Sequence, residues 1–331
     1  MSSDNSVLVV IELSDDKAIL PVSLECLMTG RILADAFGGR LLALIIGNGI
    51  SDAGKELSHY NLETVYVVDH PMLDVYQPEA YLSAFRQVHD TITPKAIVMG
   101  DTLTSIDLAP RIAFSLNTGL VTDCVGVECT SGEVCFIKPV YSGNIMAAYA
   151  FTTEPFMATM RSRVQEPAER RNEVCAEIIA LDVNIDPSAI TMESIKRILE
   201  KDEGPRLAHA EIIVSGGRGI GGAEGFRLLS ELCTVLHAAL GASRPPCDLG
   251  WVHPKAQVGQ TGEKVGPSVY VAVGISGATQ HIAGMSGSKT VVAINKDPQA
   301  AIFRAADYGV VGKYEEVVPA FKEALSHILK W

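Results

Sequence analysis

The chain has 331 residues, enough for two domains, and 47% of them are hydrophobic, enough to fill two packed cores. Its formal net charge of −12 argues against nucleic acid or an anionic membrane surface as partner, because no phosphate-neutralising patch is present. No apolar run reaches the ~18 residues of a membrane-spanning helix. The first apolar run, residues 7–13 (VLVVIEL), is of strand length and lacks the basic leader of a signal peptide, so a cytoplasmic location is expected.

Residues 7–13 are bounded by Ser and Asp, as a strand buried on both faces would be. Residues 21–37 repeat apolar side chains at helical spacing and stop at Gly38-Gly39. Strands over 41–46, 64–68 and 96–100 then alternate with helices over 52–60, 78–91 and 105–116, the order of a largely parallel sheet. From residue 121 short strands at 125–128, 134–140, 145–151 and 156–160 alternate with turns and read as an antiparallel extension of that sheet. Residues 182–205 are charged, end in KDEGPR and read as a linker, which places the domain boundary near residue 203.

The second half restarts the βαβ pattern. A strand over 210–214 runs into SGGRGIGG and a helix over 224–240. Strands follow at 268–273, 290–294 and 309–311, with helices at 279–285 and 314–329. The expected architecture is therefore α/β with two domains. Residues 1–203 form an αβ sheet with an antiparallel extension, and 204–331 a doubly wound parallel sheet.

The seven cysteines include no CxxC pair, and the trio Cys124, Cys129 and Cys135 lies in strand-like sequence, so buried thiols are expected rather than zinc, an iron–sulfur cluster or a disulfide framework. Chemistry is expected in four loops of the second half, since ligands of open α/β sheets sit at strand carboxyl ends. Residues 215–222 offer glycines and Arg218 to a pyrophosphate; their alternative use is close strand–helix packing. Ser243 and Arg244 follow Gly241-Ala242 and by themselves read first as a helix C-cap with a solvated Arg, with a ligand contact as the alternative. Gln257, Val258, Gly259, Gln260 and Thr261 form a polar Gly-containing turn. Ser276, Gly277, Ala278, Thr279, Gln280 and His281 join a strand to a helix start. Ser276, His281 and Asp297 could make a hydrolytic set, but no GxSxG elbow is present. Gly217, Gly219 and Gly222 match the NAD spacing, yet about 20 residues on stand His237 and Ala238 instead of the acid that a ribose needs.

The stretches VGQTG (258–262) and VYVAVGISGATQHIAGMSGSKTVVAIN (269–295) closely resemble the signature of electron-transfer flavoprotein alpha subunits. SGGRG and GASR upstream, KDPQAAIFRAADYGVVG downstream, and RIAFSLNTGLVTD and YSGN in the first half stand at the family's places. The resemblance implies an electron carrier that works with FAD held by the second domain, rather than a stand-alone catalyst. It implies FAD contacts from Arg218, Ser243, Arg244, Val258, Gly259, Gln260, Thr261, Ser276, Gly277, Ala278, Thr279, Gln280, His281 and Asn295. By analogy Thr261 lies near the reactive flavin nitrogen, Arg244 over the ring face, and His281 faces a pyrimidine carbonyl. Ser243, Ser276, Gln280 and Asn295 serve the phosphates, ribityl chain and adenosine. Lys313-Tyr314 departs from the family's acidic-then-apolar pair near the adenosine end. The implied partners are a beta subunit carrying AMP or a second FAD, acyl-CoA-type dehydrogenases as in fatty acid β-oxidation, and a membrane quinone reductase or similar acceptor. The first domain would dock the beta subunit while the second swivels on residues 182–205.

Overall fold

A computed structural model describes residues 4–130, 133–141, 143, 145–173, 176–192, 205–208 and 210–329. These divide into two compact units, and the expected boundary near residue 203 lies outside the described residues. No helix among the described residues is long and apolar enough to cross a membrane.

The first unit runs β1 (Asp4–Ile11), α1 (Pro21–Phe37), β2 (Leu41–Gly47), α2 (Ser51–Leu57), β3 (Thr64–Asp69), α3 (Pro78–Ile92), β4 (Pro94–Gly100) and α4 (Leu103–Ser115). It continues through β5 (Leu120–Cys124), β6 (Gly126–Thr130), β7 (Glu133–Val140), β8 (Ile145–Ala150), β9 (Phe156–Met160) and β10 (Glu177–Ala180). Seven strands form one sheet in the order β10-β3-β2-β1-β4-β9-β5, and every pairing in it is parallel. Val7, Val9 and Ile11 of β1 pack with Val22, Cys26 and Leu27 of α1, while Leu8 and Val10 face Phe85 and Val88 of α3 and Ile112 of α4. That two-sided burial is why the strand is apolar without alternation.

Three differences from the sequence reading concern pairing. The antiparallel strands make a separate three-stranded sheet, β6-β7-β8. β9 is not one of them: it runs parallel between β4 and β5. β10, in a polar stretch that carried no strand signal, pairs with the edge strand β3. The expected linker also begins later than residue 182. Gln87 of α3 clasps the backbone of Asn184, its amide donating to the carbonyl at 2.9 Å and its oxygen accepting from the N–H at 2.9 Å. Ile185 is buried, and Thr191 donates to Glu79 at 2.8 Å. Residues 184–191 thus belong to the first unit.

The second unit runs β11 (Ile212–Gly216), α5 (Ala223–Leu236), β12 (Ala239–Ala242), α6 (Arg244–Asp248), β13 (Val269–Val273), α7 (Thr279–Met285), β14 (Thr290–Asn295), β15 (Tyr308–Val311) and α8 (Tyr314–Leu329). Its sheet is all parallel in the order β12-β11-β13-β14-β15. Phe226, Leu229 and Leu232 of α5 and Val318 of α8 cover one face, against Val214, Val271 and Val273. Val258, Ile275 and Met285 cover the other, against Ile213, Tyr270 and Ala272. The helix expected over 224–240 ends at Leu236, where His237 turns left-handed at φ 50°, and the following residues form β12.

Candidate functional site

In the second unit the chain winds outward from β11 in one direction to β12 and in the other to β13, so the strand order reverses between β11 and β13. Crevices at the carboxyl ends of such a pair are where open α/β sheets hold ligands. The loops after β11 and β13 meet there. Gly217 N–H donates to Val273 O at 2.8 Å and Gly219 N–H to Gly274 O at 3.0 Å. A Cβ at Gly219 would lie 2.7 Å from that same carbonyl oxygen. These two glycines serve the approach of one loop to the other.

The other two loops attach in sequence. Ser243, after β12, donates its N–H to Gly216 O at 3.0 Å. It is the N-cap of α6, so the GASR stretch is a strand end and not the helix C-cap that the sequence allowed. The strand end carries Ala242 and Ser243, where a dinucleotide-binding fold of the NAD type would place an acid. Val258 N–H donates to Ala242 O at 2.8 Å, and Gln260 N–H to Gln280 O at 2.8 Å, which seats the third loop on α7. Gln257 donates to Thr261 Oγ1 at 3.0 Å across that turn.

The rim that results is polar. Arg218, Arg244, Gln260, Thr261, Ser276, Thr279 and Gln280 are exposed, as is Ala278. Arg244 donates from Nε to Asp248 at 3.1 Å within α6. Ser243, Val258, Gly259, Gly277 and His281 are buried beneath, and Asn295 is half-buried. Asn295 is engaged at both ends of its amide: it donates to Ile275 O at 2.8 Å and accepts from Asp297 N–H at 3.0 Å.

Two expected roles change. The imidazole of His281 has Nδ1 3.0 Å from Val258 O and Nε2 3.0 Å from the Tyr270 hydroxyl. Burial pushes its pKa down to about 4, so the ring is neutral at pH 7, and both nitrogens are spent inside the protein. The resemblance places Gly277 among the FAD contacts, where a glycine would let the backbone approach the cofactor. Gly277 has φ +86°, and a Cβ there would fall onto the amide of Ile302, 2.6 Å from Ala301 C. Its reason is the chain itself.

Gly222 is different. Its φ of 167° is extended, open to any residue, and a Cβ there would meet nothing within 4 Å. It is the N-cap of the 14-residue α5 and supplies no side-chain cap, so the first N–H groups of the helix receive no acceptor from that residue. That opening, beside Arg218, fits a pyrophosphate. The loop is braced from behind by Tyr314, whose hydroxyl donates to Ile220 O at 2.8 Å. Tyr270 is a residue that sequence reasoning did not single out.

The electron transfer flavoprotein domain profile matches residues 7–186, and the electron transfer flavoprotein FAD-binding domain profile matches residues 206–286. The chain is 41% identical to the electron transfer flavoprotein subunit alpha of Thermoanaerobacterium thermosaccharolyticum, over 94% of each chain. It is 38% identical to the subunit of that name from Bacillus subtilis, over 97% of this chain and 98% of that one. It is 38% identical to protein FixB of Clostridium saccharobutylicum, over 90% of each. The chain belongs to the electron transfer flavoprotein alpha-subunit family. Its function is accordingly electron transfer through bound FAD, as a carrier rather than a catalyst of its own reaction.

Proposed function

We propose that FAD lies along the carboxyl edge of the five-stranded sheet, with its pyrophosphate over Gly222 and the N-terminus of α5. The observation that carries this is Gly222, a glycine that neither backbone conformation nor packing requires, in front of an uncapped helix. A close-lying anionic ligand supplies the missing reason. Arg218 adds charge to that end. Ser243, Arg244, Val258, Gly259, Gln260 and Thr261 hold the ring side, with Ser276, Gly277, Ala278, Thr279 and Gln280 between. Asn295 and His281 act from beneath by fixing the loops. FAD supplies reversible uptake of electrons, and these residues bind and orient it.

Gly222→Ala tests the placement. The apo chain should unfold as the parent does, within about 1 kcal/mol for the changed cap. FAD affinity, followed by flavin fluorescence, should fall at least tenfold. Unchanged affinity would move the pyrophosphate elsewhere.

Arg244 concerns the potential of the ring. Its guanidinium is exposed and shares charge with Asp248. Solvent and that carboxylate reduce the bias of one neighbouring cation toward the reduced flavin to about 1 kcal/mol. Arg244→Ala should lower the one-electron potential by about 40 mV, at ~59 mV per tenfold change in equilibrium constant. Spectroelectrochemical titration measures it. An unchanged potential with FAD bound would remove Arg244 from the ring.

The same reading assigns partners. A beta subunit with AMP or a second FAD completes the carrier, and the first unit docks it. Leu103, Ile106, Pro110 and Phe114 support this: they make an exposed apolar stripe along α4, of the kind that protein partners cover. Acyl-CoA-type or related dehydrogenases supply electrons in the cytoplasm, and a quinone reductase or similar acceptor removes them. Co-purification with the beta subunit, then counting FAD and AMP released per heterodimer, tests the assembly.

A further inference from the structure

Tyr270 is the second residue of β13, fully buried, in a run of Val and Ala that reads as any core strand. Its hydroxyl ends 3.0 Å from Nε2 of His281, and Nδ1 of the same ring ends 3.0 Å from the carbonyl oxygen of Val258. A carbonyl oxygen only accepts, so Nδ1 carries the ring proton. In the neutral ring Nε2 is then the acceptor, and the phenol must donate to it. One tautomer satisfies all three groups. The opposite tautomer would set the Nδ1 lone pair against the carbonyl lone pairs.

What the ring holds is the third loop of the site. The Val258 carbonyl opens the turn that carries Gln260 and Thr261. Gly259 and Gly284 sit in backbone contact beneath it, and Val265 N–H donates to Gly284 O at 2.7 Å. The turn is exposed on its other side. We infer that Tyr270 is a positioning residue for the flavin: by fixing the Nδ1–H tautomer of His281 it ties the Val258 carbonyl, and with it the Gln260–Thr261 turn, to α7. Tyr270 is fully buried and acts on the turn through His281. The inference rests on the reading above that this turn faces the flavin ring.

The experiment uses the holoprotein as purified with its partner subunit, labelled with 15N-histidine, at neutral pH. In the parent, the His281 ring should show a protonated Nδ1 and an unprotonated, hydrogen-bonded Nε2. In Tyr270→Phe, which keeps the ring packing, the Nε2 resonance should move to that of an unbonded nitrogen, and FAD should bind about tenfold more weakly, the loss of one buried hydrogen bond passed on to the turn. A parent ring protonated at Nε2, or at both nitrogens, would overturn the inference. So would a Phe variant that binds FAD as tightly as the parent. The underlying placement fails separately, through unchanged FAD affinity in Gly222→Ala, which leaves the tautomer result untouched.

Discussion

Gly277→Val is expected to unfold the second unit, and loss of FAD would follow from that. At φ +86° the residue lies in the left-handed region, which a β-branched side chain populates least. The Cβ would land on the backbone at Ala301 and Ile302, where Ile302 N–H donates to Ser276 O at 3.1 Å. Backbone on both sides of the clash leaves no flexible side chain to yield. Strain and clash together should exceed about 4 kcal/mol. Gly277→Ala carries the same clash with less bulk and should also be strongly destabilised. Thermal unfolding of the purified chain decides the matter. A Val variant that melts like the parent and has only lost its colour would restore the cofactor-approach explanation.

The contrast between Gly277 and Gly222 shows what a sequence conveys about such a site. Both glycines stand in a Gly-containing βα loop, and nothing in the letters shows what each glycine is for. The separation comes from φ and from what surrounds the missing Cβ, which are tertiary facts. The first and fourth loops were legible as βα loops, because each follows an apolar strand and carries Gly and Ser; the second was read as following a helix, and the third, QVGQTG, comes after α6 and not after a strand. His281 stood out in the sequence, but the direction of its ring did not. Its ring direction depends on a carbonyl 23 residues earlier and a phenol 11 residues earlier. Tyr270 gave no signal beyond a hydroxyl inside an apolar run, although a buried hydroxyl must find a partner.

The fold divides in the same way. β1 and β2 were legible because central parallel strands are apolar on both faces. The short run of β9 fits a parallel or an antiparallel neighbour equally well, and only the partner strand decides. α5 was read too long because Ala238, Ala239 and Leu240 are strong helix formers, and the break falls on a non-glycine residue, His237. The stretch from residue 184 reads as a linker by composition. Its backbone is nonetheless claimed by Gln87, almost a hundred residues away in sequence.

Arg161→Met is expected to cost the first unit about 3 kcal/mol, the lower end of what breaking a buried ion pair costs. Arg161 meets Asp123 through two parallel bonds, Nε to Oδ1 at 2.8 Å and Nη2 to Oδ2 at 2.9 Å, with side-chain exposures of 15% and 18%. Burial opposes its charge, yet the Asp123 carboxylate outweighs this and raises the guanidinium pKa above its ordinary value. The pair closes the carboxyl ends of β5 and β9. Asp123 is held at φ +59° with its N–H on Thr159 Oγ1 at 3.0 Å, and Thr159 in turn donates to Asp101 at 3.1 Å. Removing the cation leaves the carboxylates of Asp123 and Asp101 near one another without it, which is where the cost arises. Adding Asp123→Asn to Arg161→Met should therefore restore part of the loss, because Asn tolerates the left-handed backbone and carries no charge. Urea unfolding of the two variants and the parent measures both terms. A single variant within about 0.5 kcal/mol of the parent would mean that solvent already screens the pair as it does a surface one.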